Sequence, residues 1–240
     1  MKNFVKIFGF FVSVTLLLVV NACTITNDSS KKIIVPQYFY DYELWDKTAR
    51  ASIKGYVIVN PANGPGDSVN SDYVNDIDKL VYYGKTPIGY IYTKWGDRNI
   101  DDVKADIDKW LEFYPKIKGF FVDECSNQDD RFEYYRELAD YIKSKGDYKI
   151  VLNPGALSTP LYYSIADTIV SYEGSVEDMP DNICSEYSDK SAVIVYGASE
   201  EQMDMIVTKP CAYFYVTDDN DSNPYDSLPS YFDEEIRLLK

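Results

Sequence analysis

The order of its apolar runs constrains this chain most: eight short runs rich in Val, Ile, Tyr or Phe alternate with polar or helix-patterned segments. Strands that alternate with crossover helices form a parallel sheet, because each parallel connection must travel back across the sheet. The runs cover 33–40, 55–60, 87–93, 117–124, 149–153, 168–173, 192–196 and 212–217. Helical periodicity is clearest from Ile100 to Phe113, where Val103, Ile107, Trp110 and Leu111 share a face. A second good helix is Arg131 to Lys145 with Gly146 as its stop, and Phe232 to Leu239 closes the chain. Helices after the fifth and sixth strands have weak local signals and are expected from the count of repeats. Eight such units predict an α/β chain folded as a single-domain (β/α)8 barrel of the TIM type rather than an open doubly wound sheet. Gly64-Pro65-Gly66 lacks the full G-x-G-x-x-G fingerprint, so it reads as a tight loop and not as a dinucleotide site.

The barrel is expected over 33–240. Ahead of it, Lys2 and Lys6 precede an apolar run from Ile7 to Val20 that is too short for a membrane span, the pattern of an export signal. That run ends Val20-Asn21-Ala22-Cys23, similar to a bacterial lipobox. Residues 1–22 then read as a lipoprotein signal peptide and 23–32 as a flexible tether from an acylated Cys23, which would hold the exported protein at a bacterial membrane or cell surface. An ordinary signal peptide with an incidental cysteine is the plainer alternative.

Charge narrows the partners. Lys and Arg number 24 against 39 Asp and Glu, a net −15, or −17 once Lys2 and Lys6 are removed. No basic stripe is present to neutralise phosphates, so nucleic acid is not expected as a partner. A neutral or cationic ligand suits the surface better. The chain has no histidine, which excludes Ser-His-Asp and Cys-His nucleophiles in their usual form, and it has no C-x-x-C spacing, so no metal and no cofactor are expected. Of Cys125, Cys184 and Cys211, one must stay unpaired or pair between chains. A monomer is expected.

The remaining catalytic groups are carboxylates. In a TIM barrel the site lies where strands run out into βα loops. Asn60, Tyr92, Asp123, Glu124, Asn153, Glu173, Tyr196 and Asp218 fall at such ends, and Tyr38 precedes the first of these loops. Glycoside hydrolysis needs one carboxyl to protonate the leaving oxygen and a second to attack, or to activate water. Asp123, Glu124 and Glu173 are the candidates. Consecutive residues on a strand point to opposite sides, so only one of Asp123 and Glu124 is expected to face the axis. Each acid ends an apolar strand, and partial desolvation there lifts a carboxyl pKa toward what a general acid needs. Carboxylates at loop starts also serve as solvated charges or helix caps. Tyr38, Tyr92 and Tyr196 belong to a large set of 23 tyrosines that suit sugar faces as a cluster, although any single one can be packing. Asn60-Pro61 and Asn153-Pro154 repeat one dipeptide at two strand ends; each amide can bond a substrate hydroxyl or cap its own loop.

These residues also carry a resemblance. I-I-V-P-Q-Y-F-Y at 33–40, V-N-P-A-N-G-P-G at 59–66, G-Y-I-Y-T at 89–93 and W-G-D-R at 95–98 come in order. G-F-F-V-D-E at 119–124, L-N-P-G at 152–155, Y-E-G at 172–174 and N-P-Y-D-S-L-P-S-Y at 223–231 complete the pattern. Together they resemble the spherulin 4-like proteins, which overlap glycoside hydrolase family 135. The resemblance implies a TIM-type barrel with a carboxylate-lined groove and endo-hydrolysis of α-1,4-linked N-acetylgalactosamine or galactosamine polymers. It implies Asp123 as nucleophile, Glu173 as acid/base and Glu124 in support. Substrate contacts are expected from Tyr38, Asn60, Tyr92, Arg98, Asn153, Tyr196 and Asp218. Tyr196 departs from the histidine many members carry at the end of the seventh strand; it still donates a hydrogen bond but carries no positive charge. The rival expectation is a carbohydrate-binding surface lipoprotein that keeps the barrel without turnover.

Overall fold

The computed structural model describes residues 31–184 and 186–240; the expected signal peptide, Cys23 and most of the expected tether lie outside them. Eight parallel strands close into a barrel in sequence order: β1 Lys32–Gln37, β2 Gly55–Val59, β3 Thr86–Tyr92, β4 Gly119–Asp123, β5 Lys149–Leu152, β6 Thr168–Ser175, β7 Ser191–Tyr196 and β8 Tyr213–Val216. Helices α1 Tyr42–Arg50, α2 Ser71–Tyr82, α3 Ile100–Phe113, α4 Phe132–Lys145, α5 Pro160–Ile165, α6 Glu200–Ile206 and α7 Phe232–Leu238 follow the strands. The expected helix after β6 is absent among the described residues. Two short 3-10 turns, Val176–Asp178 and Ser188–Lys190, take its place. A Cys184–Cys211 disulfide pins that connection to the segment entering β8, and closing a loop of 27 residues this way stabilises by roughly 3–4 kcal/mol. Cys125 is the buried free thiol among the described cysteines.

Local sequence explains the helices that position the mouth. Asn99 caps α3 by accepting the Asp101 N–H, and Val103, Ile107 and Trp110 are buried. Trp110 lies against Gly89 so closely that a Cβ there would sit 2.7 Å from the indole, and its Nε1–H donates to the Tyr90 carbonyl at 2.9 Å. Only glycine fits at that step of β3. On α4, Tyr135 sends its hydroxyl to Thr93 at 3.0 Å and accepts the Ser126 N–H at 2.8 Å, which ties the helix to the ends of β3 and β4.

The β1–β8 seam is built differently. Only Lys32 with Tyr213 and Ile33 with Phe214 pair across it. Above them the Thr217 N–H donates to Val195 on β7, so the Val216 N–H faces the seam, where it donates to the fully buried carboxylate of Glu235 on α7 at 2.9 Å. Burial raises the Glu235 carboxyl to about 8, and its second oxygen has no protein partner.

Candidate active site

Strand parity and register decide which side chains reach the axis. Paired residues of parallel strands share a face, so Tyr90 and Phe121 lie together, as do Tyr92 and Asp123 one step further along. A register shift between Val170 and Tyr172 in β6 changes the phase of that strand just before Glu173. The result brings Asp123 and Glu173 to one place. Asn153, buried just past the end of β5, donates from a single Nδ2 to an Asp123 oxygen at 2.7 Å and to a Glu173 oxygen at 2.5 Å. Those oxygens are therefore no further apart than the sum of the two lengths, about 5.2 Å. The Asn153 oxygen accepts the Gly155 N–H at 3.1 Å, which fixes the amide with its NH2 toward the acids.

Each carboxylate has a second donor. Tyr90 gives its hydroxyl to the other Asp123 oxygen at 2.7 Å, and Tyr225, from the long loop after β8, gives its hydroxyl to the other Glu173 oxygen at 2.7 Å. Tyr38 stands edge-on between those two rings, with centroids 5.9 Å and 6.0 Å away. Burial, reinforced by the charge on Asp123, holds the Glu173 carboxyl above its ordinary range; the Asn153 and Tyr225 bonds pull in the opposite direction. Burial and the two acids likewise push the Tyr38 and Tyr90 phenols up, which keeps Tyr90 a protonated donor to Asp123.

Other expected site residues take different places. Glu124 lies beyond the last residue of β4 with φ +50°, so strand alternation no longer applies to it; its carboxylate accepts the Lys94 N–H at 3.2 Å. Asn60 caps its own loop by accepting the Gly64 N–H at 2.9 Å, whereas Asn153 faces the acids. Arg98 is committed to the Tyr92 carbonyl at 3.1 Å and to Asp106 at 2.6 Å, and its guanidinium lies 4.3 Å from the Tyr92 ring centroid. Tyr92 and Arg98 border a polar hollow of about 240 Å³ beside the loop 62–67. Asp218 holds Ser230 through its backbone N–H at 3.0 Å and through its hydroxyl. Tyr196, half-buried at the end of β7, is near enough to Tyr225 and Tyr172 to influence both phenols. Sequence reasoning missed Tyr90 and Tyr225. For Tyr90 the signal was parity, two residues before Tyr92; for Tyr225 it was only its place in the 223–231 motif.

The chain was compared with known proteins. A family model described as "Spherulation-specific family 4" matches residues 32–239. Spherulin-4 of Physarum polycephalum is 32% identical, over 90% of this chain and 72% of its own length. The crystal structure of Aspergillus clavatus Sph3 in complex with GalNAc matches with a TM-score of 0.75 at 24% identity, covering 88% of this chain and 97% of that one. That structural likeness is one of fold.

Proposed function

This chain belongs to spherulation-specific family 4, and on that premise we propose that it is a glycoside hydrolase, endo-acting on an α-1,4-linked N-acetylgalactosamine or galactosamine polysaccharide. The observation that carries the reading is the pair Asp123 and Glu173 sharing the Asn153 amide at the barrel mouth. The GalNAc bound to the Aspergillus clavatus protein supports the sugar class. Bridging by one amide nitrogen keeps the nearest oxygens of the two acids within about 5.2 Å, which supports the closer carboxyl pairing of retaining enzymes.

In this mechanism Glu173, kept protonated by burial and by its neighbour's charge, gives its proton to the departing glycosidic oxygen. Asp123 attacks the anomeric carbon and forms a covalent glycosyl intermediate. Glu173, now a carboxylate, takes a proton from water as that water displaces Asp123. Tyr90 and Asn153 hold Asp123 in one orientation, and Tyr225 with Asn153 does the same for Glu173. The acidic surface accommodates a partly deacetylated, cationic polymer. No cofactor or metal takes part. Export and lipid anchoring through Cys23 belong to the same proposal, and the Cys184–Cys211 disulfide supports an oxidising compartment.

The test uses protein from Thr24 onward, which keeps all of β1, incubated with galactosaminoglycan while new reducing ends are measured. Wild type is expected to release them and Asp123→Asn to lose at least about a thousandfold in kcat. Binding without release, in wild type and variant alike, would instead identify a carbohydrate-binding protein.

A further inference from the structure

The most strained backbone near the carboxylates belongs to the turn that leaves β3. Lys94 and Trp95 both have positive φ, +50° and +54°, and Gly96 follows at +85°. A bulky aromatic residue in the left-handed region is a true outlier, one that persists only where its surroundings hold it. They do so here. The Trp95 N–H donates to the Glu124 carbonyl at 2.7 Å, the Lys94 N–H to the Glu124 carboxylate at 3.2 Å, and Thr93 bonds the same carbonyl at 2.8 Å. Glu124, itself at φ +50°, is the residue directly after Asp123. From the other side Arg131 pairs with Asp97 at 2.7 Å.

All this fixes the turn without burying its largest side chain. Trp95 is 61% exposed, and no aromatic or cationic group covers its ring among the described residues. Packing does not explain such an expense of strain. An uncovered indole just past the end of β3, on a turn whose backbone is bonded to the neighbour of Asp123, offers an apolar plate to a ligand lying across the mouth. The C–H face of a pyranose ring matches such a plate, while sugar hydroxyls remain free to meet polar groups.

We propose that Trp95 is a sugar-stacking platform, a binding residue that holds one pyranose unit of the glycan chain beside the Asp123–Glu173 pair. The strained turn from Lys94 to Gly96 fixes the backbone that carries the indole before substrate arrives, so binding has less of the chain left to order. This rests on the proposed glycoside hydrolase reading for its substrate, and its test separates the two.

The chain has three tryptophans, and the other two, Trp45 and Trp110, are 2% and 0% exposed. Acrylamide quenching of tryptophan fluorescence therefore reports on Trp95. In the soluble protein carrying Asp123→Asn, α-1,4-linked N-acetylgalactosamine oligosaccharides or their de-N-acetylated counterparts are expected to shield the quenchable fraction in a saturable way. In the active protein Trp95→Ala is expected to raise KM about tenfold with kcat changed less than twofold, and Trp95→Phe to recover most of the loss. Trp95→Gly, which relaxes the backbone, is expected to keep or raise Tm while KM still rises, a combination a structural role would not give. Hydrolysis by wild type and Trp95→Ala with equal KM, and no shielding, would overturn the platform and leave the hydrolase reading standing. Shielding with no hydrolysis from wild type would sustain the platform and sink the hydrolase reading. Neither shielding nor hydrolysis with either glycan class would overturn both.

Discussion

Two glutamates in this barrel are lifted by burial, and they do opposite things. Glu173 sits at the mouth, where a second carboxylate, an amide and a phenol converge on it. Glu235 sits in the β1–β8 seam, fully buried, where it accepts a single backbone N–H and its ionisable neighbours Tyr215 and Tyr231 are phenols rather than a second carboxylate. Desolvation is shared, so a raised carboxyl is not by itself the mark of a site. What separates the two is company. In the proposed reaction the opposed carboxylates and their directed donors keep a proton where substrate can take it, whereas the acid in the seam satisfies an otherwise stranded N–H.

The largest expected effect breaks the mouth and leaves the seam alone. Glu173→Gln keeps the shape and the amide contacts but has no proton to give, so kcat should fall roughly 10²–10⁴-fold. Removing an acid whose burial opposes ionisation should leave Tm at neutral pH unchanged or higher. A variant that keeps full activity would erase the distinction between the two glutamates.

Glu235→Gln makes the reciprocal test. An acid whose folded pKa is raised binds more protons in the folded than in the unfolded state, so stability is lost as pH climbs from the ordinary value of 4.5 to about 8. That gap corresponds to something on the order of 4–5 kcal/mol by neutral to alkaline pH. Glutamine still accepts the Val216 N–H and does not titrate. Thermal melts between pH 5 and 8 should therefore fall less steeply with pH than those of wild type, while kcat stays within about twofold. Parallel melting curves for the two proteins would show that Glu235 ionises freely after all.

Tyr90→Phe is the third step down. It removes one hydrogen bond to the charged Asp123, an interaction of about 1.5–3 kcal/mol, so a loss of roughly 10–100-fold in kcat/KM is expected with little change in Tm. The tyrosines at the opposite end of the barrel serve as controls. Tyr56 and Tyr213 stack at 4.7 Å and their hydroxyls meet only at 3.5 Å, so Tyr56→Phe should move neither activity nor stability appreciably.

That contrast also marks how far the sequence could be read. Alternating apolar runs were enough for the eight strands, because a parallel barrel buries each strand on both faces and leaves a continuous apolar signature. Asp123 and Glu173 were legible because a carboxylate ending such a run is conspicuous. Asn60-Pro61 and Asn153-Pro154 were not separable, since their difference lies in which strand carries them and in a bulge on the neighbouring β6. Tyr90 was hidden among tyrosines that look alike at both ends of the barrel. The helix expected after β6 came from counting, and the chain holds that crossover with a disulfide instead. Glu235 gave no signal, because an acidic residue in a short terminal helix reads as an exposed one.

The smallest effect sharpens the comparison most, since it acts on the proton and not on the scaffold. The Tyr225 hydroxyl bonds the Glu173 carboxylate and draws its pKa down against burial and the charge of Asp123. Glu173 must be protonated to act as the acid, so turnover should decline on the alkaline side as pH passes its pKa. Tyr225→Phe removes the bond that favours the charged form. The alkaline limb of kcat should then move to higher pH, with kcat below that limb reduced less than about tenfold. No phenol is hydrogen-bonded to Glu235 among the described residues, and the Glu235→Gln variant should leave the limb where it is. A Tyr225→Phe limb that stays in place or moves to lower pH would mean that the titrating acid in turnover is not Glu173.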